Sequence, residues 1–404
     1  MGCDRPKDIG TISKRYTRET FIKKKTVMRY IREILPKIIR YRLHMLGLTS
    51  PGTPLNLTFS VTNACQSRCR TCAIWKLYED NPSRRDEELK IDEIGKVFRS
   101  LGHIYIFNIS GGEPFLRPDL PQIVRLACEY LTPAIIHIPT NALAMELVEN
   151  RTLEILRIIH DIDPAVQLTL KPSLDHIGER HDDIRGVKGN FDKVLALFHR
   201  LKALQADFKN LHVELGTIIS RWNVNDIEEI SVFVSGLRPD SYRNEIAEQR
   251  SELFNREDPI TPVPEEYRKA VNVFLRQASA RGKDRSFFQR LNNAVRLVYY
   301  DLAVRIMQEK RQVTPCYAGI SNAHMSPYGD IWPCCTLGYE MSMGNVRRYD
   351  YDFMALWTSL RADETREYIR QGNCHCPMAN QAYSNIMMHT MSMLKVMINF
   401  SLLP

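Results

Sequence analysis

Thr62-Asn63-Ala64-Cys65-Gln66-Ser67-Arg68-Cys69-Arg70-Thr71-Cys72 follows immediately on residues 55–61, a run that reads as a β-strand. The three cysteines therefore sit on a loop leaving a strand. Three thiolates on one loop can ligate three irons of a cubane and leave the fourth iron open to a small ligand. An open position is what a catalytic metal needs and a purely electron-transferring cluster lacks. The same spacing also admits a zinc site or metal-free loop cysteines, so the neighbouring segments decide.

Strands and helices alternate on both sides of this loop. Residues 55–61, 104–110, 134–138, 166–170, 211–219 and 242–247 read as strands. Helical periods fall at 92–101, 120–131, 147–160, 191–206 and 224–237. Such repetition implies a parallel sheet with right-handed crossovers, here a partial (β/α)6 barrel open on one side. The α/β fold class is thus a TIM-like barrel at 51–255. A basic amphipathic helix precedes it in 1–50, and a helical bridge follows at 256–313. A small cysteine-rich α+β domain spans 314–385 and an apolar tail 386–404.

Three segments at predicted strand ends, and one that follows the last of them, carry further chemistry. Ser110-Gly111-Gly112-Glu113-Pro114 ends the second strand, and its glycines allow backbone to approach a ligand. Thr140-Asn141 ends the third and Ser173-Leu174-Asp175 the fourth, before His181-Asp182 and Ile184-Arg185-Gly186. This is the edge at which α/β sheets place ligands. With Cys65, Cys69 and Cys72 in C-x3-C-x2-C spacing, the chain resembles the radical S-adenosylmethionine (SAM) superfamily. The resemblance implies a [4Fe–4S] cluster on those cysteines, with SAM's amino and carboxylate groups on the free iron. It implies cleavage of SAM to a 5′-deoxyadenosyl radical, with electrons from a reductant such as flavodoxin or ferredoxin. It assigns SAM contacts to Gly111, Gly112, Glu113, Asn141, Ser173 and Arg185, and to Trp75 against the adenine. Thr71 departs from the apolar or aromatic residue usual before the last cysteine. Ile218 and Ile219 fit either adenine contact or barrel filling, and Lys171 either substrate or solvent.

Ten cysteines in a chain with ordinary hydrophobic content (44%) point to metal ligation in a reducing compartment. Cys316-x12-Gly329-x4-Cys334 resembles the opening of a SPASM/Twitch extension, with Pro327-Tyr328-Gly329-Asp330 supplying a hairpin turn. Cys335, Cys374 and Cys376 follow. Five cysteines limit this part to one auxiliary [4Fe–4S] cluster, best held by Cys316, Cys334, Cys374 and Cys376, with Cys335 left over. The C-x-C spacing around His375 leaves the fourth ligand open, and four thiolates suit zinc as well. Cys128 reads as a buried core thiol, and Cys3 carries no role.

The net charge of +8 is concentrated at one end. Residues 1–50 hold thirteen Lys/Arg against four Asp/Glu, or +9, which leaves the remainder near −1. That excludes a nucleic-acid-binding core and favours a local anionic partner such as a membrane surface. An apolar stripe flanked by Lys and Arg between residues 21 and 46 reads as an interfacial helix, kinked near Pro36. No signal peptide or membrane-spanning run is present, so the expected location is cytoplasmic, peripheral to the membrane. The expected substrate is a lipid or membrane-associated molecule that loses hydrogen from an unactivated carbon. Ribosomal peptide, protein or sugar modification is the alternative, and a non-catalytic iron–sulfur carrier or regulator is the reading from another class.

Overall fold

The computed structural model describes residues 32–280 and 287–402, in two units, up to Gly52 and from Thr53. Cys3 and residues 21–31 of the expected interfacial helix lie outside the described residues. In the first unit, residues 32–45 run as one helix through Pro36. Its end is tied by Arg40 Nη2 donating to Ser50 Oγ at 2.7 Å.

The second unit is built on a nine-stranded sheet of order β6-β5-β4-β3-β2-β1-β7-β8-β9. The first six strands are parallel and consecutive: β1 (Asn56–Thr62), β2 (Ile106–Gly111), β3 (Ile135–Thr140), β4 (Gln167–Pro172), β5 (Leu211–Ile219) and β6 (Ser241–Ile246). Consecutive parallel strands need crossovers, and helices supply them. The helix Ile91–Leu101 shows why: Ile94, Val97, Phe98 and Leu101 recur at helical spacing and are fully or almost fully buried. Phe98 meets Phe59 of β1 and Phe107 of β2 edge-on, with ring centroids 6.2 and 5.4 Å apart. Truncating such a ring to Ala costs about 3–5 kcal/mol.

Period-two alternation gives each strand two faces. On β1, Leu57, Phe59 and Val61 join the apolar core, while Asn56, Thr58 and Ser60 are buried but polar. Those polar residues are satisfied across the sheet. Asn108 Nδ2 donates to Asn56 Oδ1 at 2.8 Å, and Ser60 Oγ lies 2.8 Å from His324 Nε2. Asn56 Nδ2 donates to Asn380 Oδ1 at 2.8 Å, so the helix Ala379–Met388 lies against this face.

Two expected boundaries shift. β7 (Asn322–Met325) pairs in parallel with β1, and β8 (Asp330–Trp332) and β9 (Gly344–Asn345) extend it antiparallel. The cysteine-rich part therefore continues the barrel's own sheet across the border placed at 313/314. The border at 385/386 falls inside the helix Ala379–Met388. The apolar tail is a second helix, Thr390–Leu402, that buries Val396 and exposes Met391, Met397 and Leu402. Among the described residues no helix is long and apolar enough to cross a membrane.

Candidate active site

The carboxyl ends of β1–β6 open into one cavity of about 1040 Å³, part of it open to solvent. Cys65, Cys69 and Cys72 line it with Gly111, Gly112, Glu113, Asn141, Ser173, Arg185 and Ile218. The structure thus brings together the triad and every expected SAM-contact residue except Trp75. The Trp75 ring lies under the Arg68 guanidinium (4.4 Å) with Lys76 close by (5.5 Å), and Ile74 takes the place on the cavity wall. Ile219 is buried outside the lining, and Lys171 pairs with Glu245 at 3.4 Å.

The glycine pair also answers to packing. A Cβ on Gly111 would stand 2.1 Å from Thr62 O, and one on Gly112 2.3 Å from Ala64 O. Gly111 also has φ +115, which favours glycine. The glycines therefore let the β2 exit pack against the backbone of the cysteine loop. Gly112 N and Glu113 N donate to Thr62 O and Ala64 O, both at 2.8 Å. Gly186 repeats the device, with Arg68 O 2.2 Å from its would-be Cβ.

Glu113 is buried to 1% exposure. Its Oε2 accepts from Asn141 N at 2.7 Å and its Oε1 from Phe115 N at 3.3 Å, joining the β2 and β3 exits. Burial pushes its carboxyl up to about 7 against those hydrogen bonds. Arg185 is held by Asp175, which is fully buried. Asp175 Oδ2 accepts from Arg185 Nη1 at 3.1 Å, and its Oδ1 from Ile218 N at 2.8 Å. His181 sits beside this pair: Asp175 N donates to its Nδ1 at 3.1 Å, so Nε2–H faces Asn190 Oδ1, also at 3.1 Å. Asn190 Nδ2 then donates to Asn141 O at 2.8 Å. Burial drives the imidazole down to about 4, which keeps it neutral and in this tautomer. Asp175, His181 and Asn190 position Arg185 and Asn141, a role that the segments holding Asp175 and His181 do not mark in the sequence. Their signal was spacing only, since burial and partners belong to the fold.

The donor set fits an iron–sulfur cluster and SAM. Burial pushes the Cys65 thiol up to about 11 and Cys72 up to about 12, so metal must replace the protons for these sulfurs to carry charge. Arg185 Nε is shut off from solvent without a hydrogen-bond partner, a free donor on the wall where an anionic group would lie.

Cys316, Cys334, Cys374 and Cys376 line a second cavity of about 500 Å³, with Gln312, Thr336, His375 and Asn385 around them. Burial raises all four thiols, Cys374 to about 11. His375 is exposed at the rim. Cys335 points away, its sulfur accepting from Arg250 Nη1 at 3.1 Å and touching Met378 Sδ at 2.9 Å. The hairpin joining β7 and β8 turns at Gly329, φ +89. Cys128 is buried at 3% exposure in the core.

Residues 59–247 match the family profile of the radical SAM superfamily, and residues 316–377 match that of SPASM, an iron–sulfur cluster-binding domain. The chain thus carries a radical SAM domain followed by a SPASM domain. It is 23% identical over 319 residues to the antilisterial bacteriocin subtilosin biosynthesis protein AlbA of Bacillus subtilis, covering 78% of this chain. It spans 62% of that relative's length. An AdoMet-dependent heme synthase of Methanosarcina barkeri is 24% identical, over 78% of this chain and 84% of its own. SuiB of Streptococcus suis, solved bound to its precursor peptide SuiA, shares the fold with a TM-score of 0.55. Its identity is 16%, over 87% of this chain and 79% of SuiB.

Proposed function

We propose that the protein cleaves SAM reductively and uses the resulting 5′-deoxyadenosyl radical to take hydrogen from an unactivated carbon of a peptide. The single observation carrying the radical chemistry is the cavity that gathers Cys65, Cys69, Cys72, Gly112 and Arg185 at successive strand ends. When bound, the cluster on the three cysteines supplies the electron that breaks SAM's carbon–sulfur bond. The chain's own residues do the rest. Arg185, oriented by Asp175, offers its free Nε to SAM's carboxylate. Gly111, Gly112 and Glu113 hold the β2 exit against the cysteine loop, fixing the backbone beside the amino group. Ser173 and Ile218 supply the wall for the ribose and adenine. Cys316, Cys334, Cys374 and Cys376 hold one auxiliary cluster.

A peptide is favoured over the expected lipid because AlbA acts in bacteriocin biosynthesis and SuiB is solved with a precursor peptide. The charged groups on the cavity wall, Glu245, Glu248 and Arg250, suit the same reading. The test is anaerobic incubation of the reconstituted protein with SAM, dithionite and deuterated cell extract divided into peptide and lipid fractions. Deuterium should enter 5′-deoxyadenosine from the peptide fraction. Labelling from the lipid fraction alone would reject the peptide, and no 5′-deoxyadenosine with a filled cluster would reject the enzyme.

A further inference from the structure

The lining of the first cavity divides by chain position. The cysteine loop, the β2, β3 and β4 exits and Arg185 supply the residues assigned to SAM. Glu245, Ala247, Glu248, Arg250, Met378 and Ala379 come instead from the end of β6, the loop after it and the cysteine-rich part. Gln249, beside Glu248, is exposed, so solvent reaches this wall.

The charged groups on and behind this wall are matched except for one. Lys171 Nζ lies 3.4 Å from Glu245 Oε1, and Arg243 pairs with Glu214. Arg250 Nη1 lies 3.5 Å from Glu252 Oε2 and donates to Cys335 Sγ at 3.1 Å. Burial holds His324, 3.4 Å from Glu252, below its ordinary value, so that imidazole adds no charge. Four carboxylates, Glu214, Glu245, Glu248 and Glu252, thus stand against three cations, Lys171, Arg243 and Arg250.

Glu248 is the carboxylate left over. Its Oε2 is shut off from solvent and has no hydrogen-bond partner. Burial pushes the carboxyl up to about 7, with Arg250 opposing the rise and Glu245 adding to it. A buried carboxylate is costly unless it is paired. Unpaired on the wall of a ligand cavity, it marks a place for a donor that the ligand brings. The surplus of negative charge makes that donor a cation. SAM's amino and carboxylate groups are already assigned to the cysteine loop and Arg185, which leaves Glu248 to the substrate.

We propose that Glu248 receives a positively charged group of the peptide, a basic side chain or the amino terminus, and so holds the neighbouring carbon beside SAM. The inference rests on the peptide reading above and names the kind of peptide.

The experiment uses the reconstituted full chain with SAM, dithionite and the deuterated peptide fraction, divided on a cation exchanger into retained and unretained pools. Wild type should draw deuterium into 5′-deoxyadenosine from the retained, basic pool. In Glu248→Gln with full iron content that transfer should fall at least about tenfold, the loss expected for a hydrogen bond to a charged group. Its SAM affinity by calorimetry should match wild type, and Glu248→Asp, which keeps the charge, should keep most of the transfer. Unchanged transfer in Glu248→Gln would overturn the proposal, as would labelling from the unretained pool alone. Weakened SAM binding in Glu248→Gln would overturn it too, by giving the carboxylate to SAM. If Glu248→Gln takes up no iron, the wild-type pools decide: labelling from the retained pool supports the proposal, and labelling from the unretained pool alone overturns it. Wild type that takes deuterium from neither pool would instead reject the peptide reading itself.

Discussion

Cys65, Cys69 and Cys72 share one loop on a wide cavity, whereas Cys316, Cys334, Cys374 and Cys376 converge from separate segments on a smaller one. The first set is held by backbone: Arg68 N and Arg70 N donate to Arg185 O and Ile184 O, at 3.1 and 2.9 Å. It has three sulfurs, and the facing wall offers free polar atoms. The second set has four sulfurs, enough to close a cubane, and its ligands meet only once β7, β8 and the segment around residue 375 have folded. A loop triad on a preformed barrel makes an open site; a dispersed tetrad makes a closed one whose metal is coupled to folding.

The strongest way to break this comparison is to remove a sulfur from each side. Cys65→Ala should lose about four irons, one cubane, and its 5′-deoxyadenosine formation should fall below detection. Cys374→Ala should also lose about four irons, but should lower the melting temperature and leave SAM binding in place. Cys335→Ala should keep its iron. Loss of SAM binding in Cys374→Ala would mean the two sites are not separate.

The open site can be sharpened through its supports. Asp175→Ala removes the residue that orients Arg185 and should weaken SAM binding at least about tenfold, or about 1.4 kcal/mol, by calorimetry. Unchanged affinity would show that Arg185 does not need its partner. Gly112→Ala pushes a Cβ into Ala64 O and should cost about 1–3 kcal/mol in denaturant unfolding, with iron content falling alongside. An unaffected protein would contradict the packing role given to this glycine.

The smallest effect concerns the contact between the barrel and the cysteine-rich part. Arg347 pairs with Glu93 through both nitrogen–oxygen contacts, at 2.9 and 3.0 Å, and holds that carboxyl down to about 2 from 4.5. A depressed carboxylate stabilises the fold above its unfolded value, and the contribution disappears as pH falls through the folded value. The melting-temperature difference between wild type and Glu93→Gln should be full at pH 7 and shrink between about pH 4.5 and 2. A difference that stays constant across that range would remove this ion pair from the account.

The barrel was legible because its signals are local. β5 was placed with the bounds it has, and the other five strands within a residue or two, since apolar runs and turn residues mark strand ends. The cysteine spacing and the Gly111–Glu113 segment are local as well. What stayed hidden depends on long-range contact. β7 joins β1 across more than 250 residues of chain, and no period in the sequence announces it. The role of Asp175 follows from which face of β4 and which turn of the helix Glu179–Arg185 come together. Trp75 was misplaced because a tryptophan near a site is attractive, while its neighbours Arg68 and Lys76 supply enough contact to hold it elsewhere. Arg250 and Glu248 lie on an irregular loop with no motif, and only Arg250 Nε and Glu248 Oε2, shut off from solvent without a partner, draw notice to them.

The most direct measurement is the electron paramagnetic resonance of the reduced, fully loaded protein with and without SAM. The account predicts two cluster signals, of which SAM alters one. That signal disappears in Cys65→Ala and survives in Cys374→Ala. A SAM response from the cluster that survives Cys65→Ala, or no response from either, would contradict the assignment of the open site to Cys65, Cys69 and Cys72.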